Sequence, residues 1–144
     1  MKFNINSKDG NARAAELTIN GKYLETPAFM TIGTYGSVKT LDTSDLKECN
    51  VNIILSNAFH LMLRPGTDLI QSYGGLHEFM NWDKLILTDS GGYQVFSLGQ
   101  DVKVNNNAAE FRSPFNGEKV IMTPEKSIDV QSKLNTDIMM IFDE

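Results

Sequence analysis

Apolar residues fall along this chain in short runs, and four of them end abruptly in polar residues. Ala28 to Thr31, Val51 to Ser56, Leu85 to Thr88 and Ile138 to Phe142 each read as a strand. Between them the pattern predicts helices or irregular crossovers. Asp42-Thr-Ser-Asp45 supplies capping chemistry for a helix through about Cys49. Pro65 suits a first helical turn, and the helix it opens is expected to reach about Tyr73 before Gly74-Gly75 stops it. Thr123 as cap and Pro124 at the first position open another helix, to about Leu134. Ahead of these units, Ala14–Ile19 and Lys22–Glu25 flank Asn20-Gly21, a hairpin signal. From Asp101 to Met122 the runs Val102–Val104 and Lys119–Met122 flank a polar middle containing Asn116-Gly117, which predicts an inserted β-hairpin.

Strands alternating with helices imply βα units and a parallel sheet, hence an α/β fold. Polar residues gather where the strands end, at Ser56-Asn57, Asp89-Ser90 and Asp143-Glu144. In a TIM-like (β/α)8 barrel those ends carry the chemistry, but such a barrel needs eight units and about 250 residues. A chain of 144 residues with four units is about half of one. Four open strands would also leave two unpaired edges. The expectation is therefore a single incomplete domain. Residues 1–26 form antiparallel strands, residues 27–144 form the first four βα units, and the whole is the N-terminal part of a larger enzyme.

Composition narrows the classes further. Hydrophobic residues at 41% and charged residues at 22% are ordinary for a soluble domain. There is no apolar run of bilayer-spanning length and no secretory signal in the polar start, so no membrane partner is expected and the cytoplasm is the default location. A net charge of −5, with Lys and Arg scattered, makes no electrostatic case for nucleic acid. One cysteine, Cys49, and two histidines, His60 and His77, stand in no metal-like spacing, so no metal site is expected in this chain.

The most informative stretch is Leu87-Thr-Asp-Ser-Gly-Gly-Tyr-Gln-Val-Phe-Ser-Leu98. A carboxylate, Asp89, leaves a buried strand, followed by Ser90, the pair Gly91-Gly92 and then Tyr93 and Gln94. Glycines let a ligand approach the backbone closely, and the set suits a planar polar ligand. Read alone, it is equally a strand end with a solvated Asp and a turn. Asp89 and Asp143, at the ends of different strands, form a carboxylate pair of the kind that performs acid–base work at a glycosidic bond.

This stretch resembles the tRNA-guanine transglycosylases, also called queuine tRNA-ribosyltransferases, of bacterial type. Thr26-Pro-Ala-Phe-Met-Thr31, Leu55-Ser-Asn-Ala-Phe-His-Leu-Met-Leu-Arg-Pro-Gly66 and Ile141-Phe-Asp-Glu144 match the same family in the same order, and Gly74–Met80 and Trp82-Asp83 also fit. The resemblance implies exchange of guanine at the anticodon wobble position of tRNA for a 7-deazaguanine, a queuosine precursor. The route it implies runs through a covalent ribosyl-aspartate. It makes Asp89 the general acid/base, also touching ribose or base, and Asp143 the reader of the guanine edge. Tyr93 stacks on the base, while Ser90 and Asn57 position base or ribose. It also implies a nucleophilic aspartate and a structural Zn2+ site of three cysteines and a histidine, both beyond Glu144, and a homodimer. A chain holding the acid–base and recognition groups without the nucleophile is expected to be inactive alone.

Plainer roles stand beside these. Asp143 could cap a helix, Tyr93 could simply pack, and Asn57 could tie down its loop. His60 reads as a satisfied structural histidine, and Phe96 and Leu98 as core. Two functional alternatives differ in class: a non-catalytic guanine- or tRNA-binding paralogue or partner subunit, and an O-glycoside hydrolase.

Overall fold

The computed structural model describes residues 1–98 and 100–143; Glu144, the last residue of the fourth motif, lies outside them. Three sheets make up the fold. The first is antiparallel, with β1 (Lys2–Asp9), β2 (Ala12–Ile19) and β3 (Lys22–Thr26) in that order. Asn20 and Gly21 take the positive φ that a tight hairpin turn requires, so β2 and β3 pair from Ile19↔Lys22 to Ala15↔Thr26.

The second sheet is parallel and four-stranded. It contains β4 (Thr31–Ile32), β5 (Ile53–Ser56), β6 (Leu85–Thr88) and β10 (Ile138–Met139), adjacent in chain order, with β4 and β10 at its edges. Each connection carries helix. α1 (Thr43–Glu48) joins β4 to β5; α2 (Ala58–Leu63), α3 (Thr67–Ser72) and α4 (Leu76–Met80) join β5 to β6. α5 (Gly92–Leu98) and α6 (Pro124–Leu134) lie between β6 and β10. Asp42 caps α1 in a capping box with Asp45, and Thr123 caps α6 through the Lys126 N–H.

Side-chain alternation along these strands gives the sheet two apolar faces. Ile54 and Ile86 point to the helices and cluster with Leu46, Leu61, Ile70, Leu76, Trp82, Val130 and Leu134. Ile53 and Leu85 point the other way, where Ile19 and Leu24 of the antiparallel sheet cover them, with Leu17, Leu87 and Ile138 packed around. The first sheet thus seals the N-terminal end of the parallel strands. The arrangement is an open arc of βα units; no barrel closes.

The third sheet corrects an expectation. Residues 100–122 hold three strands rather than a hairpin: β7 (Gln100–Val104), β8 (Ala109–Arg112) and β9 (Lys119–Met122), in that order. The two runs read from sequence do not pair with each other; each pairs with β8. Ala109 and Phe111 of β8 are buried with Phe59, Val95 and Met122, which docks this sheet on α2 and α5.

Other boundaries shift as well. The first barrel strand is Thr31–Ile32 rather than Ala28–Thr31. Pro65 does not open a helix; α3 starts at Thr67 behind Gly66. The last strand ends at Met139, and Met140 to Phe142 continue without ladder pairing. Phe96 and Leu98 are exposed rather than core, because they lie on the outer side of α5, which buries only Gly92 and Val95.

Candidate active site at the C-terminal ends of the parallel strands

Asp89 follows directly on β6 and still pairs with the sheet, its N–H donating to the Ser56 carbonyl at 3.2 Å. Ser56 ends β5, so Asn57 and Asp89 leave the sheet side by side. The Asn57 amide donates to Asp89 Oδ2 at 2.5 Å, and the Ala58 N–H donates to Oδ1 at 2.8 Å. Both carboxylate oxygens are thereby fixed from the start of α2. Burial pushes the Asp89 carboxyl above its ordinary value, against the pull of the Asn57 and Ala58 hydrogen bonds, and the charge of Asp143 pushes in the same direction. A carboxyl held toward its neutral form beside a second carboxylate is suited to giving and taking a proton.

Ser90 is 1% exposed and belongs to a different set of partners. Its hydroxyl donates to the Asp143 carboxylate, and accepts from the Gly92 N–H at 3.2 Å and the Asp143 N–H at 3.3 Å. Asp143 lies four residues past β10, so this contact, not strand geometry, brings it to Asp89. The glycine pair makes the approach feasible. Gly91 has φ +81° and lies against Phe59, and any Cβ at Gly92 would overlap the Asp143 carbonyl.

Asn57, Asp89, Ser90 and Asp143 are therefore one hydrogen-bonded and electrostatically coupled group. Tyr93 is not in contact with it: it sits on the first turn of α5 with its ring 68% exposed. A hollow bordered by Val95, Phe96, Ala109, Pro124, Phe142 and Asp143 opens beside the group.

His60 corrects another expectation. Its ring packs edge-on against Tyr35 and Phe59, but its buried Nδ1 has no hydrogen-bond partner, so it is not a satisfied histidine. Burial pulls its pKa down, against the attraction of Asp89.

Two residues of this region escape a motif reading. Ser127 and Gln131 are fully buried on α6 and reach the strand ends through hydrogen bonds. The available signal was two polar residues, four apart, on the face that also carries Val130 and Leu134.

Among the described residues no group of three or more His, Cys, Asp or Glu could hold a metal ion. Cys49 is exposed at the end of α1. The residues present therefore do not fit a zinc centre. No helix among them is long and apolar enough to cross a membrane.

A parallel βα arc with polar residues gathered at its C-terminal ends fits part of a (β/α)8 barrel, and family comparison makes the assignment specific. Residues 8–144 match the queuine tRNA-ribosyltransferase family model, and the chain belongs to that family, a family of glycosyltransferases. It is 54% identical over all 144 residues to queuine tRNA-ribosyltransferases from Herminiimonas arsenicoxydans, Idiomarina loihiensis and Pseudoalteromonas atlantica. It covers 100% of this chain but only 38–39% of those relatives. The chain thus spans about two fifths of the curated relatives it matches, rather than the half that its strand count implies.

Proposed function

We propose that the protein, in its full natural length, exchanges guanine at the tRNA anticodon wobble position for a 7-deazaguanine through a ribosyl-aspartate. The observation that carries this reading is the half-buried Asp89 carboxyl, held by Asn57 and the Ala58 N–H and under the charge of Asp143. Glycosidic cleavage builds positive charge on the ribose and negative charge on the departing purine. A carboxyl pushed toward protonation can donate to the leaving base, then take the proton of the incoming base. Asp143, oriented by Ser90, accepts from the N–H groups on the guanine edge. Tyr93 lies in the first turn of α5, where an exposed ring is free to stack on a base.

The attacking aspartate and the structural Zn2+ belong to the part of the relatives' length that this chain does not span. No step here depends on the metal. The 144-residue chain alone is inactive in this reading. The open edges β4 and β10, with Ile32 57% and Ile141 81% exposed, are where further barrel strands would pair. Homodimerisation and a cytoplasmic location belong to the same proposal.

The test is incorporation of labelled guanine into tRNA by the full-length protein. Incorporation lost in Asp89→Ala supports the reading. Guanine binding by the full-length wild type without incorporation overturns it in favour of a binding protein.

A further inference from the structure

The parallel sheet runs out of ladder before it reaches Asp143. β10 pairs with β6 only through Met139↔Thr88, after which Asp89 turns toward α2. Met140 therefore needs another partner, and it finds one in a side chain. The Met140 N–H donates to Gln131 Oε1 at 2.9 Å, and Gln131 Nε2 donates to the Met140 carbonyl at 2.8 Å. The Gln131 amide thus makes both bonds that a neighbouring strand would have made.

Its remaining capacity is used too. Thr88 Oγ1 donates to Oε1 at 3.0 Å, and Nε2 donates to Ser127 Oγ at 3.2 Å. The amide orientation is fixed by chemistry: a flip would set NH2 against the Met140 N–H and oxygen against its carbonyl. Ser127, one turn earlier, donates to the Ser90 carbonyl at 2.6 Å. One buried face of α6 thereby holds both halves of the site, Ser127 gripping the Asp89-Ser90 turn and Gln131 gripping the start of the Met140–Asp143 segment. Ser90 then joins the two by its hydrogen bonds to Asp143.

We infer that Gln131, with Ser127, is a positioning residue for guanine recognition, setting the reach of Asp143 by taking the place of a missing strand partner. This rests on the guanine-exchange reading for what is recognised, but not for the positioning itself. Two measurements on the full-length protein separate them: hydrogen exchange across Met140–Asp143, and direct titration with guanine. The variants are Gln131→Leu, Gln131→Glu and, as a control on the same helix, Thr123→Ala, which removes the α6 cap and touches none of these contacts.

Gln131→Leu should lose protection at Met140 and Asp143 and weaken guanine binding about tenfold or more, the scale of losing well-formed buried hydrogen bonds. Gln131→Glu keeps the acceptor for the Met140 N–H but loses the donor to its carbonyl. It should be intermediate at neutral pH and recover toward wild type as acid restores an O–H. Thr123→Ala should lower thermal stability and leave guanine affinity unchanged.

Unchanged protection and affinity in both Gln131 variants overturn the inference. So does an equal loss of affinity in Thr123→Ala, which would make the effect one of helix stability. Altered protection in a protein whose wild type binds no guanine would keep the positioning device and overturn the functional reading.

Discussion

The two ends of the parallel sheet solve opposite problems. At the N-terminal end a buried carboxylate is matched by cations. Asp137, with its side chain 4% exposed, accepts from Lys22 at 3.0 Å and the Ile86 N–H at 3.0 Å, and its Oδ2 lies 2.9 Å from His77 Nε2. His77 Nδ1 faces the Trp82 carbonyl at 2.8 Å, an acceptor, so that nitrogen carries a hydrogen. The cluster joins the antiparallel sheet, α4 and the approach to β10. At the C-terminal end the carboxylates Asp89 and Asp143 face each other instead, and an aromatic ring is left in the open. Burial acts on the two aspartates with different outcomes. It opposes ionisation of both, but at Asp137 the Ile86 N–H, Lys22 and His77 outweigh it and hold the carboxyl below its ordinary value. At Asp89 no cation answers and the carboxyl goes up. One end is built for stability; the other keeps an electrostatic cost that the proposed exchange would use.

Breaking each end should therefore give a different defect. The largest effect is expected from Asp89→Asn, a fall of about 10³-fold in guanine exchange, the usual scale for removing a general acid/base; steady-state kinetics on the full-length protein checks it. Because the Asp89 carboxyl is raised, its proton is lost above the ordinary aspartate value of 3.8, and an exchange rate that needs the protonated acid should fall as pH rises through that raised value.

Next is Asp137→Ala, expected to cost about 3 kcal/mol in urea denaturation by stranding Lys22, His77 and the Ile86 N–H, with exchange per folded molecule retained. The sign with pH follows from the lowered value. The stabilisation is complete above the ordinary 3.8 and is lost as pH falls through the lower folded value, so wild type and variant should converge in acid. Tyr93→Ala should weaken base binding by about 1–3 kcal/mol in a guanine titration, while Tyr93→Phe leaves it intact. The smallest effect is Asp42→Ala at the α1 cap, a slight fall in melting temperature with no change of activity.

Much of this was legible in the chain. β5 and β6 announce themselves as apolar runs cut off by Asn57 and Asp89, and α6 by Thr123-Pro124. Asn57, Asp89 and Ser90 could be grouped because polar residues at the ends of adjacent strands converge by topology. What was not legible depends on partners distant in sequence. β1 is exposed throughout, so the alternation of Phe3 and Ile5 with polar neighbours marks no buried face. β8, Ala-Glu-Phe-Arg, reads as part of a polar loop until Phe59 and Met122 bury its alternate residues. Phe96 and Leu98 look like core by composition, but α5 turns them outward. Asp143 arrives by a hydrogen bond to Ser90, beyond the strand that the apolar run Ile138–Phe142 seemed to extend. Gln131 is opaque for the same reason, since its role exists only because the ladder fails at Met140.

The most direct test is a titration of the full-length protein and its Asp143→Asn variant with guanine and with hypoxanthine, which lacks the 2-amino group. The account predicts that the wild type prefers guanine by about tenfold or more. Asp143→Asn should lose both the affinity and the preference, because its amide sets a donor against the donors of the base. Guanine bound equally well by wild type and variant would contradict the claim that this end of the sheet reads the base.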